Sequence, residues 1–314
     1  MPAPFDTLIS TGSLAELIAA RDEAGAGLVI VDCRYDLAAP ARGARDYAAG
    51  HIPGAVYASL NRDLSAEPDG RNGRHPLPAA AEFAATIARW GIGSGVQVVA
   101  YDDSTGAYAS RLWWMLRNAG HHAAAVLDGG FAKWVREGRS VEVGWGTAPL
   151  ERRPPNVTPQ ERRPSNVTPT APRPPRSGAP FPAVTADEVA GRSAGAVLID
   201  ARSPERFRGE VEPLDRVPGH VPGAVNRHYM TNLAEDGTFR PAAELRAAFE
   251  ALLAGGLPAD AIVMCGSGVT ACHHLLAMEV AGLPGARLYA GSWSEWCADP
   301  ARPTATAASR PPRS

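Results

Sequence analysis

One segment of the chain combines the residue types and spacing that nucleophilic sulfur chemistry needs: Ile262-Val263-Met264-Cys265-Gly266-Ser267-Gly268-Val269-Thr270. The apolar run before Cys265 reads as a short buried strand, the glycines mark a tight turn, and an amphipathic helix is predicted to begin near Thr270. Such a loop gathers consecutive backbone N–H groups into an anion-binding nest, and the helix N-terminus adds partial positive charge. These donors matter because the thiolate is the reactive form, and a free thiol with its ordinary pKa near ~8.5 is only slightly ionised at neutral pH. Ser267 and Thr270 add hydroxyls that can donate to an anion or to a second sulfur carried on Cys265. Cys265 is therefore the expected nucleophile, with Gly266, Ser267, Gly268, Val269 and Thr270 forming its persulfide or anion loop.

What the loop lacks narrows the chemistry. Cysteine cradles that handle phosphate or arsenate close with arginine in a C-x5-R pattern, because a multiply charged oxyanion needs bidentate cationic contacts; here that position is Ala271. A small, uncharged cradle suits a sulfur atom better than a phosphoryl group. The absence of any C-x-x-C pair argues against dithiol redox chemistry and a zinc ribbon. A cysteine protease needs a histidine aimed at its thiolate, whereas His273 and His274 fall on the following helix and read as helix-surface or core residues rather than metal ligands. Cys33, Cys272 and Cys297 read as packing residues.

The elements that must hold this loop repeat along the chain. Leu28–Asp32, His51–Val56, Val98–Asp102 and Gly129-Gly130-Phe131 with Trp134 recur in order as Ala196–Asp200, His220–Val225, Ala261–Cys265 and Gly291-Ser292-Trp293 with Trp296. Apolar runs of strand length alternate with amphipathic stretches at Ala79–Arg89, Ser110–Ala119, Ala242–Leu253 and Thr270–Ala281, the pattern of an α/β domain with a mainly parallel sheet. The expected organisation is a first α/β unit over 1–148, a Pro/Arg-rich linker over 149–182, a second unit over 183–300 and a flexible tail over 301–314. The linker contains a near-duplication, Glu151–Gln160 and Glu161–Thr170. Its Asn156-Val157-Thr158 and Asn166-Val167-Thr168 read as duplicated spacer rather than glycosylation sites, and its arginines as a solvated face.

Length and composition agree with two domains. The chain has 314 residues, 45% hydrophobic and 20% charged, and a formal net charge of −2. This near-neutral balance gives no reason to expect nucleic acid or an anionic membrane as partner. No signal or membrane-length apolar segment is evident, so a cytoplasmic location is expected. Lys133 is the sole lysine among 31 basic residues, a compositional bias with no functional reading.

Taken with the loop Cys265–Thr270, the two H-[IV]-P-G-A segments (His51–Ala55 and His220–Ala224), Asp200-Ala201-Arg202 and the closing Gly291–Trp296 give a specific signature. Outside the linker and tail the chain resembles the two-domain rhodanese-like sulfurtransferases. The resemblance implies tandem domains of which only the second is catalytic, since Asp102 stands where the second copy has Cys265. It implies that Cys265 takes the outer sulfur of a donor, 3-mercaptopyruvate or thiosulfate, and passes it as a persulfide to cyanide or to a thiol, a thioredoxin-like protein included, with no metal or organic cofactor. A persulfide-carrying module that delivers sulfur to a protein partner is the alternative. The sequence CGSGVT resembles the mercaptopyruvate members, because thiosulfate-preferring members place cations directly after the cysteine and Gly266 and Ser267 supply none. Arg206 falls where the family keeps a substrate-carboxylate arginine, Arg216 or Arg208 is the candidate for a second, and His75 resembles the first-domain histidine that faces the site. The acidic pair expected after the first H-I-P-G-A is replaced by Ser59 and Asn61, with Asp63 following closely.

Overall fold

The computed structural model describes residues 4–24, 27–103, 105–145, 183–193 and 195–307. The linker expected over 149–182 lies outside the described residues. In the first unit, strands β1 (Leu8–Ile9), β2 (Leu28–Asp32), β3 (Val56–Tyr57), β4 (Gln97–Tyr101) and β5 (Ala124–Leu127) alternate with helices α1 (Thr11–Ala24), α2 (Arg42–Ala49), α3 (Leu60–Asp63), α4 (Ala80–Arg89), α5 (Ala107–Asn118) and α6 (Gly130–Arg136). The second repeats the plan with β6 (Ala183–Val184), β7 (Leu198–Asp200), β8 (Val225–Asn226), β9 (Ile262–Met264) and β10 (Arg287–Tyr289), and with α7 (Ala186–Ala190), α8 (Pro204–Arg208), α9 (Ala242–Leu253), α10 (Thr270–Val280) and α11 (Ser292–Trp296). All strand pairs are parallel, in the orders β1-β5-β4-β2-β3 and β6-β10-β9-β7-β8. Parallel neighbours require long crossovers, which is why the apolar runs are separated by helical stretches.

The outer faces of the two sheets have separate cores, one around Tyr47 and Trp134 and the other around Trp293 and Trp296. The inner faces share one continuous core that includes Val31, Ala100, Val263 and Cys265. Helices α5 and α10, each of which follows the loop after a central strand, pack against one another across it. The shared burial makes the two units interdependent and places the Cys265 loop at their junction.

Both repeat motifs prove architectural. Arg34 forks onto the Asp32 carboxylate and donates to the Gly50 carbonyl at 2.6 Å, while Arg202 does the same with Asp200 and Gly219 at 2.7 Å. These buried forks tie the end of β2 or β7 to the residue before each H-x-P-G-A segment. The histidines that open those segments use Nδ1 on the carbonyls of Tyr47 and Phe207 and stack on the same two rings.

The first residues of the tail are held by specific contacts. Ala305 pairs with the His220 backbone, Trp296 donates to the Pro303 carbonyl at 2.9 Å, and Arg302 lies over the Trp296 ring while pairing with Asp187. Glu142 closes the first unit on His51 in the same way. Backbone pairing of this kind leaves no composition signal, and it ties the first residues of the tail expected from 301 onward to the second unit.

His273 and His274 are core residues at the junction. Asn232 Nδ2 donates to Nδ1 of both, at 3.1 and 2.8 Å, and the Nε2–H groups donate to the carbonyls of Thr105 and Arg227. All four ring nitrogens are thereby engaged, and burial pushes both imidazoles down to about 3. The unfolded chain binds protons at these groups below pH ~6.5, whereas the folded chain does not until near pH 3. Their contribution is therefore complete above pH ~6.5 and lost progressively as pH falls, with a slope of up to about 1.4 kcal/mol per pH unit for each histidine. Urea midpoints measured between pH 7.5 and 5.5 should fall as the solution is acidified; a flat profile contradicts the neutral assignment.

Candidate active site

Strand β9 carries Cys265 to the junction, where it is 1% exposed at the floor of a cleft of about 230 Å³. The backbone here is clamped by the closing Gly-Ser-Trp motif. Ser292 Oγ accepts from the Cys265 N–H at 3.0 Å and donates to the Tyr289 carbonyl, while the N–H groups of Trp293 and Ser294 donate to the carbonyls of Cys265 and Gly266. Ser292 adopts φ 54°, a left-handed conformation that is unusual for serine, and its counterpart Gly130 adopts φ 59°. The strained residue is held because its hydroxyl positions the nucleophile. Gly268 is also left-handed, and a side chain there would run into the Ala290 carbonyl.

Among the described residues, no protein acceptor takes the N–H groups of Gly266, Ser267, Gly268, Val269 or Thr270. The first unit shows what such a loop can do. Asp102, aligned with Cys265, turns its carboxylate back onto its own loop and accepts from the N–H groups of Gly106, Tyr108 and Ala109 at 2.8, 2.8 and 3.3 Å. Burial raises the Asp102 carboxyl while those three donors pull it down. One copy of the nest thus holds an internal anion, and the other keeps its donors for something brought in.

His75 enters from the first unit, with Nδ1 2.8 Å from Ser267 Oγ. Burial, with the charges of Arg111 and Arg74 adding to it, pushes His75 down to about 3 and keeps it neutral. Asp63 is not its companion, because its carboxylate faces the Ser59 N–H, Arg62 and Arg89. Asn61 accepts from the Tyr35 hydroxyl instead. Arg111 on α5 is wholly buried and donates to the Gly268 carbonyl at 3.1 Å and to those of Leu64, His75 and Pro76, joining the catalytic loop to the His75 segment.

Arg206 lines the cleft, paired with Glu212 at 2.7 Å and Asp215 at 3.2 Å. The candidates for a second arginine do not join it: Arg216 is exposed and outside the cleft lining, and Arg208 pairs with Glu210 on the surface. Arg208 shares helix α8 with Arg206 but its side chain pairs outside the cleft, and the loop residue Arg216 is exposed, which spacing alone does not reveal. Of the other two arginines along the cleft, Arg202 is committed to Asp200 and the Gly219 carbonyl, and the remaining one is Arg74, whose place beside His75 was its only sequence signal. Tyr108, His228 and Tyr229 complete the walls, and Thr270 closes the loop side. Cys33, Cys272 and Cys297 are unsuited to attack: burial raises all three thiols, to about 12 at Cys272 and about 11 at Cys297.

Known proteins agree with this geometry. Residues 13–137 and 185–299 each match the rhodanese-like domain. The probable 3-mercaptopyruvate sulfurtransferase of Pseudomonas aeruginosa is 44% identical over 281 residues, covering 89% of this chain and 92% of that protein. The thiosulfate sulfurtransferase of Bos taurus is 33% identical over 301 residues, covering 93% of this chain and 92% of that protein. The 3-mercaptopyruvate sulfurtransferase structure from Leishmania major superposes with a TM-score of 0.73 at 31% identity, covering 94% of this chain and 75% of that one. No helix among the described residues is long and apolar enough to cross a membrane. With both repeats matched and relatives of 44% and 33% identity covering most of its length, the chain belongs to the rhodanese-like family, in its tandem-domain sulfurtransferase form.

Proposed function

We propose that the protein is a sulfurtransferase that takes sulfur from 3-mercaptopyruvate onto Cys265 and passes it to a thiol or to cyanide. The observation that carries the donor choice is the neutral His75–Ser267 pair beside an uncharged cysteine loop. Cys265 thiolate attacks the mercaptopyruvate sulfur, the S–S bond forms as the C–S bond breaks, and pyruvate enolate leaves. The proton of the substrate S–H must then reach the enolate carbon, giving pyruvate and a Cys265 persulfide anion. A neutral imidazole hydrogen-bonded to a hydroxyl is suited to relay that proton. Thiosulfate transfers its sulfur with release of sulfite and needs no proton moved, so it has no use for such a relay. Free N–H groups in the loop, with the Ser267 and Thr270 hydroxyls, suit the persulfide charge. An acceptor thiol or cyanide then removes the outer sulfur and regenerates the thiolate.

Steady-state kinetics with both donors should give a kcat/KM at least about tenfold higher for 3-mercaptopyruvate, equivalent to ~1.4 kcal/mol of transition-state discrimination. A higher value for thiosulfate overturns the donor choice. Mass spectrometry of protein treated with donor alone should find one added sulfur on Cys265.

A further inference from the structure

Two arginines that line the cleft hold a carboxylate between them. Arg74, from the first unit, and Arg206, from the second, converge on the loop: a Cβ built on Gly266 would lie 3.1 Å from Nη2 of Arg74 and 3.4 Å from Nη1 of Arg206. Between them sits Asp215, with Oδ1 2.6 Å from Nη1 of Arg74 and Oδ2 3.2 Å from Nη2 of Arg206. Glu212 also holds Arg206, 2.7 Å from Nη2 and 3.3 Å from Nε, but it is fixed in place by Arg202 and by the N–H groups of Leu214 and Asp215, which leaves Asp215 as the carboxylate shared by the two arginines. The Arg74 backbone is pinned by the Ser294 hydroxyl at 2.9 Å, next to the clamp on Cys265. Its buried Nε has no partner among the described residues and remains available to a ligand.

We propose that Arg74 and Arg206 form an anion clamp assembled from both domains, with Asp215 as its resting occupant, so that Arg74 is a substrate-binding residue and Asp215 sets the strength of donor binding. The donor's carboxylate displaces Asp215 and takes over the two guanidinium contacts, which brings its sulfur to Cys265 beside Gly266. A carboxylate already in place screens out weakly bound anions, and the split origin of the arginines makes the clamp complete only when the two domains are packed. This inference rests on the sulfurtransferase reading only in requiring an anionic donor.

A test independent of turnover compares alkylation of Cys265 by iodoacetate, which carries a carboxylate, with that by neutral iodoacetamide, each rate read by mass spectrometry at Cys265 in the full chain. Changes in thiol reactivity cancel in the ratio. Arg74→Gln should lower the iodoacetate-to-iodoacetamide ratio about tenfold, Arg74→Lys should fall between it and the wild type because charge is kept but the fork is lost, and Asp215→Asn and Asp215→Ala should each raise the ratio. An unchanged ratio in both Arg74 variants, or a lowered ratio in both Asp215 variants, overturns the proposal. Should the ratios move as expected while thiosulfate proves the better donor, the clamp stands and the mercaptopyruvate reading falls.

Discussion

Cys265→Ser abolishes turnover with either donor, lowering kcat by about 10⁴-fold or more, in the range seen when an enzyme loses its nucleophile. The fold is expected to survive, because serine is smaller than cysteine and the Ser292 hydroxyl still accepts from the N–H of residue 265. None of the other thiols can substitute: Cys33 and Cys272 are buried, all three are raised, and Cys272 spends its sulfur on the Gly268 carbonyl. The same variant should carry no added sulfur after incubation with donor, while its circular dichroism and melting remain close to those of the wild type. Retained turnover in a folded Cys265→Ser protein sinks the mechanism.

Arg111→Met destabilises the protein by about 3–5 kcal/mol and depresses turnover with it. Two terms oppose one another at this site. Removing a buried guanidinium recovers its desolvation cost, which burial already expresses as a lowered Arg111 affinity for protons. Against this, the carbonyls of Leu64 and His75 lose their donor, each at about 1–3 kcal/mol when no water reaches it, while those of Gly268 and Pro76 keep the Cys272 thiol and the Ala66 N–H. The second term wins because Leu64 and His75 are buried and their carbonyls have no other donor among the described residues. Since one of those acceptors belongs to the Cys265 loop and another to His75, the loss reaches the chemistry as well as the fold. Urea unfolding and kcat/KM of Arg111→Met and Arg111→Lys check both consequences, and a variant as stable and active as the wild type refutes the bridging role.

The tandem α/β plan and the strand–loop–helix around Cys265 were legible because their signals are contiguous. A strand, a turn with glycines and a helix start occur within ten residues at Cys265, and the repeated landmarks expose the second copy. His75 and Arg206 were found by resemblance, and both line the cleft. Arg74, Arg111 and Asp215 were not found. Each acts across the domain junction, where contacts are set by packing of α5 on α10 and leave no periodicity in either segment. Arg216 and Arg208 are the converse case: the residue type is right and the spacing near that expected, but neither side chain joins the cleft lining, although Arg208 shares α8 with Arg206. The pairing of the tail was not legible, because a single backbone bridge at Ala305 leaves no mark on a disorder-like composition.

Asp102 gives the first domain a task of its own. Its carboxylate is a tethered ligand: it occupies the first loop without having to bind or leave, and the loop around it never opens to receive anything. One of the N–H groups it holds is that of Tyr108, whose side chain forms part of the cleft over Cys265 in the other domain. A carboxylate at the position aligned with Cys265 therefore serves as a foundation, because the loop it fastens keeps a wall of the cleft in place.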